Sequence, residues 1–430
     1  MRPLSQPRPP PPPASPFAAL GIGPTLCRAA TAQGWFAPTP VQAAAIPPAL
    51  AGTDLIGLAP TGSGKTGAYG LALLERLERM QRPAWRRTHA LVLVPTRELA
   101  LQVGETLRAL SRGFRDSVKV ATLFGGVSVN PQMLALRGGA DVVVATPGRL
   151  LDLVGRNAVK LGDVEILVLD EADRLLDEGF ADELAQLRAL LPRQRLGLFF
   201  SATFPAAVQA LAADWLQAPQ TLDLATPASA AGTAPAIVQR AIEVDVPRRT
   251  ALLRHLVEQG GWPRVLVFVA TRHASEHVAE KLRRLGLPAA AFHGDLSQGA
   301  RTRVLGDFAH GPLRVLLATD MAARGLHIPG LPVVLNYDLP RSADDHVHRI
   351  GRTARAGAEG LAVSFVSAGT EAHFRLIEKR QGQRVPRERI AGFEPTEAPP
   401  PAALDPHGVG GIKGRRKSKK DKLREAAAGG

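Results

Sequence analysis

The sequence predicts an α/β protein made of two parallel-sheet lobes in tandem, with tails at both ends that do not fold. Three observations predict it. Apolar runs of strand length alternate with longer amphipathic stretches from about Leu55 to Leu224. The alternation stops over residues 225–236, and it then restarts and continues to about residue 393. A short buried run, a helix-like stretch and another buried run are what a parallel sheet with helical crossovers requires.

In the first lobe the strand-like runs are Asp54–Leu58, Ala90–Pro95, Asp141–Ala145, Glu165–Leu169 and Leu196–Phe200, with helices such as Arg97–Leu110 and Asp182–Leu191 between them. Residues 225–236, ATPASAAGTAPA, are small, proline-containing and aperiodic, a composition suited to a flexible connection. The second lobe reads Arg240–Val246, Arg264–Ala270, Ala289–Phe292, Leu313–Ala318, Val333–Asn336 and Leu361–Val366. The expected organisation is a proline-rich N-terminus over 1–16, a first lobe over 17–224, a linker over 225–236, a second lobe over 237–393 and a basic tail over 394–430. The two ends lack the apolar residues a core needs, which predicts disorder there.

Composition narrows the function. A chain of 430 residues that is 45% hydrophobic can supply two cores. Its one cysteine, Cys27, excludes an internal disulfide and a thiolate metal site, and fits a reducing compartment. No apolar run approaches the ~18 residues that cross a bilayer. Residues 1–16, mostly proline, cannot form the apolar helix of a signal peptide. A soluble, cytoplasmic protein with no membrane partner is the expectation. The formal charge is +14, and the stretch from Lys413 to Arg424 carries eight basic residues against one acid, half of that excess. On charge alone such a run fits a solvated tail and a nucleic-acid tether equally well.

Two motifs carry chemistry. The first is Ala59-Pro60-Thr61-Gly62-Ser63-Gly64-Lys65-Thr66, a turn that follows the first strand and opens a helix. Gly62 and Gly64 let successive N–H groups curl around phosphate oxygens, and the helix N-terminus adds its positive end. Lys65 would then reach the β and γ phosphates, and Thr66 would offer a hydroxyl to Mg2+. Ala59 stands where a phosphate loop usually has glycine. The second motif, Asp170-Glu171-Ala172-Asp173, follows a buried run. There Asp170 would hold Mg2+, and Glu171 would orient and deprotonate the attacking water.

With both motifs in place the chain resembles the DEAD-box RNA helicases, whose fold is a pair of RecA-like domains, and the family's other motifs follow in order between Phe17 and Gly357. Phe17 and the segment Gly34 to Gln42 resemble the Q motif, in which Gln42 would read the adenine edge and Trp35 would stack on its face. That implies ATP rather than GTP. The resemblance assigns RNA contacts to Pro95, Thr96, Arg97, Gly126, Thr146, Pro147, Gly148 and Arg149 in the first lobe, and to Thr271, Arg272, Gly294 and Thr319 in the second. Ser201, Thr203 and Asp320 would couple ATP to RNA. Arg352 and Arg355, three residues apart, would meet the γ-phosphate from the opposite lobe.

Two positions depart from the family pattern: Ala354 replaces a usual glycine, and His327 replaces an aspartate expected to hold the ribose hydroxyls. Residues 377–395 with the basic tail look most like the bacterial RhlE type. The implied activity is RNA-stimulated ATP hydrolysis, with lobe closure on a single strand and local duplex unwinding that has little sequence preference. Ribosomal and mRNA-decay complexes both stay open as partners. A DNA helicase is disfavoured by residues 34–42 and the acidic tetrapeptide, and an ATPase-dead RNA binder by Lys65, Glu171 and the arginines. An RNA clamp that never separates strands shares every motif.

The tail generates a first prediction. If about half of its eight basic side chains each neutralise a phosphate, deleting residues 413–430 should shrink the slope of log K against log salt by about 3. Maximal ATPase at saturating RNA should stay the same. RNA titrations of full-length and truncated protein at two salt concentrations check both statements.

Overall fold

The computed structural model describes residues 15–60, 62–80, 85–177, 179–224, 237–323, 328, 331–353 and 360–396. The N-terminal expectation up to residue 14, the linker over 225–236 and the basic tail therefore lie outside the described residues. So do Thr61, His327, Ala354 and Arg355.

The first lobe contains β1 Leu55–Leu58, β2 Ala90–Leu93, β3 Val120–Leu123, β4 Val142–Ala145, β5 Ile166–Asp170, β6 Leu196–Ser201 and β7 Gln220–Asp223, in the order β3-β4-β2-β5-β6-β1-β7. The second contains β8 Ile237–Glu243, β9 Val265–Phe268, β10 Ala289–Phe292, β11 Val315–Ala318, β12 Val333–Asn336, β13 Gly360–Val366 and β14 Arg387–Glu388, in the order β10-β11-β9-β12-β13-β8-β14. Every strand pair in both sheets is parallel. Counted from each lobe's own first strand the two orders are the same, so the second lobe repeats the winding of the first.

Every residue of β2, β4, β9, β11 and β12 is buried, because helices cover both faces of the sheet. That is why these strands read as unbroken apolar runs. Three strands are additional to the sequence expectation, and all three lie at sheet edges: β3, β7 and β14. An edge strand is covered on fewer sides and tolerates polar residues, so Gln220–Asp223 and Arg387–Glu388 offer no apolar run to find. Likewise β8 begins at Ile237, before the expected Arg240, through residues that are partly buried or, at Val238, exposed.

Each lobe keeps its own cores. Clusters around Leu73, Val92 and Val168 and around Leu93, Val143 and Leu167 fill the two faces of the first sheet. Clusters around Val267, Leu335 and Phe365 and around Leu266, Leu316 and Val334 fill those of the second. No helix among the described residues is long and apolar enough to cross a membrane.

After β13 the chain forms the helix Glu371–Gln381 and turns back along β8 as β14. Arg387 fastens this return. Its guanidinium donates to Glu378 at 2.9 and 3.0 Å and to Glu371 at 2.9 and 3.1 Å, and it lies over the ring of Phe374. Burial alone would push both carboxyls up, but the hydrogen bonds from Arg387 hold them below the usual glutamate range. Their stabilisation is therefore complete above the unfolded pKa of about 4.3 and is lost as pH falls through the lower folded values. Arg387→Ala, which leaves the buried Glu378 with Arg384 and the Val385 N–H alone, should cost about 1–3 kcal/mol at neutral pH and less near pH 3. Urea unfolding of the second lobe at both pH values checks this.

Candidate functional site

The phosphate-type loop stands between β1 and the helix Lys65–Arg79. Gly64 has φ +96°, and a Cβ there would lie 2.8 Å from Gln42 Nε2 and 2.9 Å from Thr39 Oγ1. Only glycine lets the loop pack this closely on the segment before it. That segment is rigid because Thr39 and Gln42 form a capping box on the helix Pro40–Ala51. Gln42 Oε1 accepts from Thr39 N–H, while Nε2 donates to the Gly64 carbonyl at 3.2 Å. Trp35 lies beside Gly67 on the same side. The expected adenine readers Gln42 and Trp35 are thus brought to the loop, with the Gln42 amide engaged by the protein itself. Phe17, expected among them, is wholly buried in the first core, as is Ala59, so each acts on the loop through packing. Pro60 and Gly62 are exposed, Lys65 is buried with Nζ donating to the Ala59 carbonyl at 2.8 Å, and Ser63 Oγ is buried without a hydrogen-bond partner.

Asp170 ends β5 beside this loop. Its Oδ1 accepts from the Glu171 N–H at 3.0 Å, and its Oδ2 accepts from the Tyr69 hydroxyl at 2.8 Å. Burial pushes the Asp170 carboxyl up, Lys65 pulls it back and Glu171 pushes it up again, which leaves it at about 6. Burial and the neighbouring Asp170 push Tyr69 well above the ordinary tyrosine value, so it stays a donor at neutral pH. Glu171 has φ +53°, left-handed backbone at a non-glycine residue. Such a conformation costs about 1–2 kcal/mol and persists where the surroundings over-determine it. Nothing in the sequence announced it.

Asp173 ties this turn to the next. Its N–H donates to Ser201 Oγ, and its Oδ2 accepts from Thr203 N–H at 3.0 Å and from Thr203 Oγ1 at 2.7 Å. Burial would push Asp173 up, but Thr203 and then His348 of the other lobe outweigh it and hold the carboxyl low. The donor set fits Mg2+: Thr66 and Asp170 offer the hard hydroxyl and carboxylate oxygens that this ion takes along with substrate phosphates. Buried Lys65 and the unpartnered Ser63 hydroxyl suit a phosphate chain beside them.

From the second lobe, Asp320 is held by Arg349 through paired bonds of 2.6 and 2.7 Å, and Arg349 also donates to Asn336 and to the Asp338 carbonyl. A narrow crevice lies between the lobes, lined by Arg174, Asp320, Asp345, His348 and Arg352. Burial and the charge of Arg174 push His348 down to about 4, so it is neutral here. Arg174 Nη1 lies 3.4 Å from Asp345 Oδ1 across the seam.

A second cavity, about 510 Å3, also spans the lobes. Pro95, Thr96, Arg97, Gly126, Thr146, Gly148 and Arg149 line it from the first lobe, and Gly294, Arg301 and Met321 from the second. Gly126 has φ +77°, and any Cβ there would collide with the Arg97 guanidinium. Gln132 clasps both backbone groups of Phe124 and so fixes the turn that Gly126 makes. Pro147 is buried as the first residue of the helix Pro147–Gly155. Thr271, Arg272 and Thr319 lie outside this lining: Thr271 caps the helix Arg272–Arg284, and Arg272 pairs with Asp295. At this cavity the lobes are joined by a pair that spacing could not reveal. Arg301, 3% exposed, donates to Glu98 of the first lobe at 2.7 Å and lies over the Phe292 ring.

Comparison with known proteins now bears on the fold and the site together. Residues 39–211 match the family model for DEAD/DEAH box helicases, and residues 248–357 match that of the helicase conserved C-terminal domain. The ATP-dependent rRNA helicase rrp3 of Aspergillus terreus is 42% identical over 370 residues, 86% of this chain and 81% of the relative. The chain belongs to the DEAD-box ATP-dependent RNA helicase family. A bacterial relative, the ATP-dependent RNA helicase DeaD of Mycobacterium tuberculosis, is 40% identical to this helicase over 89% of the chain and 66% of the relative. Among solved structures, S. cerevisiae Dbp5 bound to RNA and ADP BeF3 superposes with a TM-score of 0.76 at 30% identity, covering 88% of this chain and 96% of that one. A Dbp5 variant bound to Nup159, a Gle1 variant, IP6 and ADP, with the same identity and coverage, gives 0.59. The chain thus superposes more closely on the RNA-bound form of that protein than on the Nup159- and Gle1-bound form.

The Arg301–Glu98 pair should therefore matter to RNA-dependent turnover. Arg301→Ala and Glu98→Gln should each raise the RNA concentration for half-maximal ATPase about tenfold, and the double replacement should add little, since contacting residues couple by about 0.5–3 kcal/mol. ATPase measured against RNA concentration in a double-mutant cycle checks it, and additive losses would show that the pair does not act across the seam.

Proposed function

We propose that this helicase hydrolyses ATP between its lobes and that closure of the lobes holds one RNA strand and displaces its partner locally. The observation that carries the reading is the paired geometry of the seam. Asp173 and Lys65 of one lobe lie within electrostatic reach of His348 of the other, which lines a crevice with Arg352 and Arg174, and a cavity rich in glycine, threonine and arginine spans the lobes where Arg301 meets Glu98.

In this reading Lys65 and the loop N–H groups bind the ATP phosphates, Gln42 and Trp35 select adenine, and Glu171 takes a proton from the attacking water. Thr66 and Asp170 hold Mg2+, which supplies charge neutralisation at the phosphates. Arg352, joined by Arg355, stabilises charge on the transferred group only when the lobes are together. Ser201 and Thr203 tie the acidic turn to the sheet end, and Asp320, fixed by Arg349, does the same in the second lobe. ATP and RNA each touch both lobes, so each favours closure and their binding is reciprocally coupled.

RNA is gripped through its backbone by Arg97, Arg149, Thr96, Thr146 and the glycine turns, with Thr271, Arg272 and Thr319 extending the track. That recognises a strand without reading its bases. The relatedness to rrp3 supports ribosomal RNA as a setting, with mRNA decay the alternative, and cytoplasmic action and the RhlE type complete the proposal. Lys65→Ala and Glu171→Gln should each lower RNA-stimulated ATPase by about 10²-fold or more while the fold persists. Glu171→Gln should still bind ATP. Near-normal turnover in either variant, measured beside circular dichroism, would overturn the site assignment.

A further inference from the structure

The first lobe buries one phenol where a plain ring would fill the same space. Tyr69 lies one turn into the phosphate helix, 1% exposed and packed within the apolar core, with its ring tilted against Phe200 at 5.5 Å between centroids. A hydroxyl placed there loses its water and needs partners. It donates to Asp170 Oδ2 at 2.8 Å. The two come from different elements, a helix and the end of a strand 101 residues on. Thr66 stands one turn before Tyr69 at the start of the same helix.

We propose that Tyr69 is a positioning residue for Asp170, its hydroxyl setting the rotamer of the carboxylate that, with Thr66, holds the nucleotide's metal. The inference rests on the assignment of those two residues to Mg2+. With the hydroxyl present, Asp170 is held at both oxygens, Oδ2 by Tyr69 and Oδ1 by the Glu171 N–H. Groups that orient metal ligands in this way change metal affinity by about 10–100-fold when removed.

The test is Tyr69→Phe, which keeps the ring and removes only the hydroxyl. A fluorescent ATP analogue is titrated into the full-length protein in EDTA, and then at fixed analogue the Mg2+ concentration is raised. Affinity in EDTA should change by less than twofold, while the Mg2+ midpoint should rise about tenfold. The RNA concentration for half-maximal ATPase should be unaffected. Two further variants separate the explanations. Phe200→Leu loosens the packing of the ring but leaves the hydroxyl, and should leave the Mg2+ midpoint in place. Asp170→Asn should abolish the Mg2+ effect. An unchanged midpoint in Tyr69→Phe, or an equal shift in Phe200→Leu, would overturn the proposal while Asp170→Asn still upheld the metal assignment. An unchanged midpoint in Asp170→Asn would overturn the assignment itself.

Discussion

Every strand in both sheets runs the same way, and the rest of the molecule depends on that constraint. Parallel strands need a crossover after each one, so all strand-to-helix turns open on a single edge, and the helices that follow point their positive N-termini at it. Two phosphate-bearing ligands are then accommodated by one physical device used on different strands. In the proposed reading the ends of β1, β5 and β6 carry the nucleotide residues, and the ends of β2, β3 and β4 carry the groove. Because the second sheet repeats the winding, its corresponding strands β9, β10 and β11 end in Thr271 with Arg272, in Gly294 and in Thr319. The correspondence reaches single atoms. Thr96 and Thr271 each begin the helix after their lobe's second strand and each accept from the N–H three residues on.

Much of this could be read from the chain alone, for a definable reason. Central parallel strands are buried on both faces, so β2, β4, β9 and β11 print themselves as apolar runs, and glycine-rich or acidic turns directly after such runs fix both motifs on the right edge. Burial is what periodicity reports, and partner choice is not. Arg301 and Glu98 are 203 residues apart, and neither spacing nor composition says that one closes on the other. Arg387 looked like one arginine among many on a basic segment, yet it fastens β14 to the lobe. Glu171 gave no local sign of its left-handed backbone, since the strain is imposed by neighbours and not by its own preference. Tyr69 belongs to no motif, and only the strand end facing it gives its hydroxyl a partner.

The seam has a different chemistry from the lobes it joins. Each core cluster among the described residues belongs wholly to one lobe. Ion pairs cross between them, Arg301 with Glu98 and Arg174 with Asp345. Such contacts set a geometry strictly, because a guanidinium buried without its carboxylate is costly, yet they add little net attraction once desolvation is counted. Closure is thus specified by the seam and left for ligands to drive.

This division has a thermal consequence. Exposing apolar surface raises heat capacity by about 0.45 cal/K/mol per Å2, whereas exposing polar surface lowers it by about 0.26, so the curvature of a free energy with temperature follows the composition of what is uncovered. Unfolding either lobe uncovers a core and must be steeply curved. Parting the lobes breaks ion pairs and opens no core cluster among the described residues, so that equilibrium is the less curved of the two. A machine built this way varies less with temperature in its readiness to open than in the integrity of its halves.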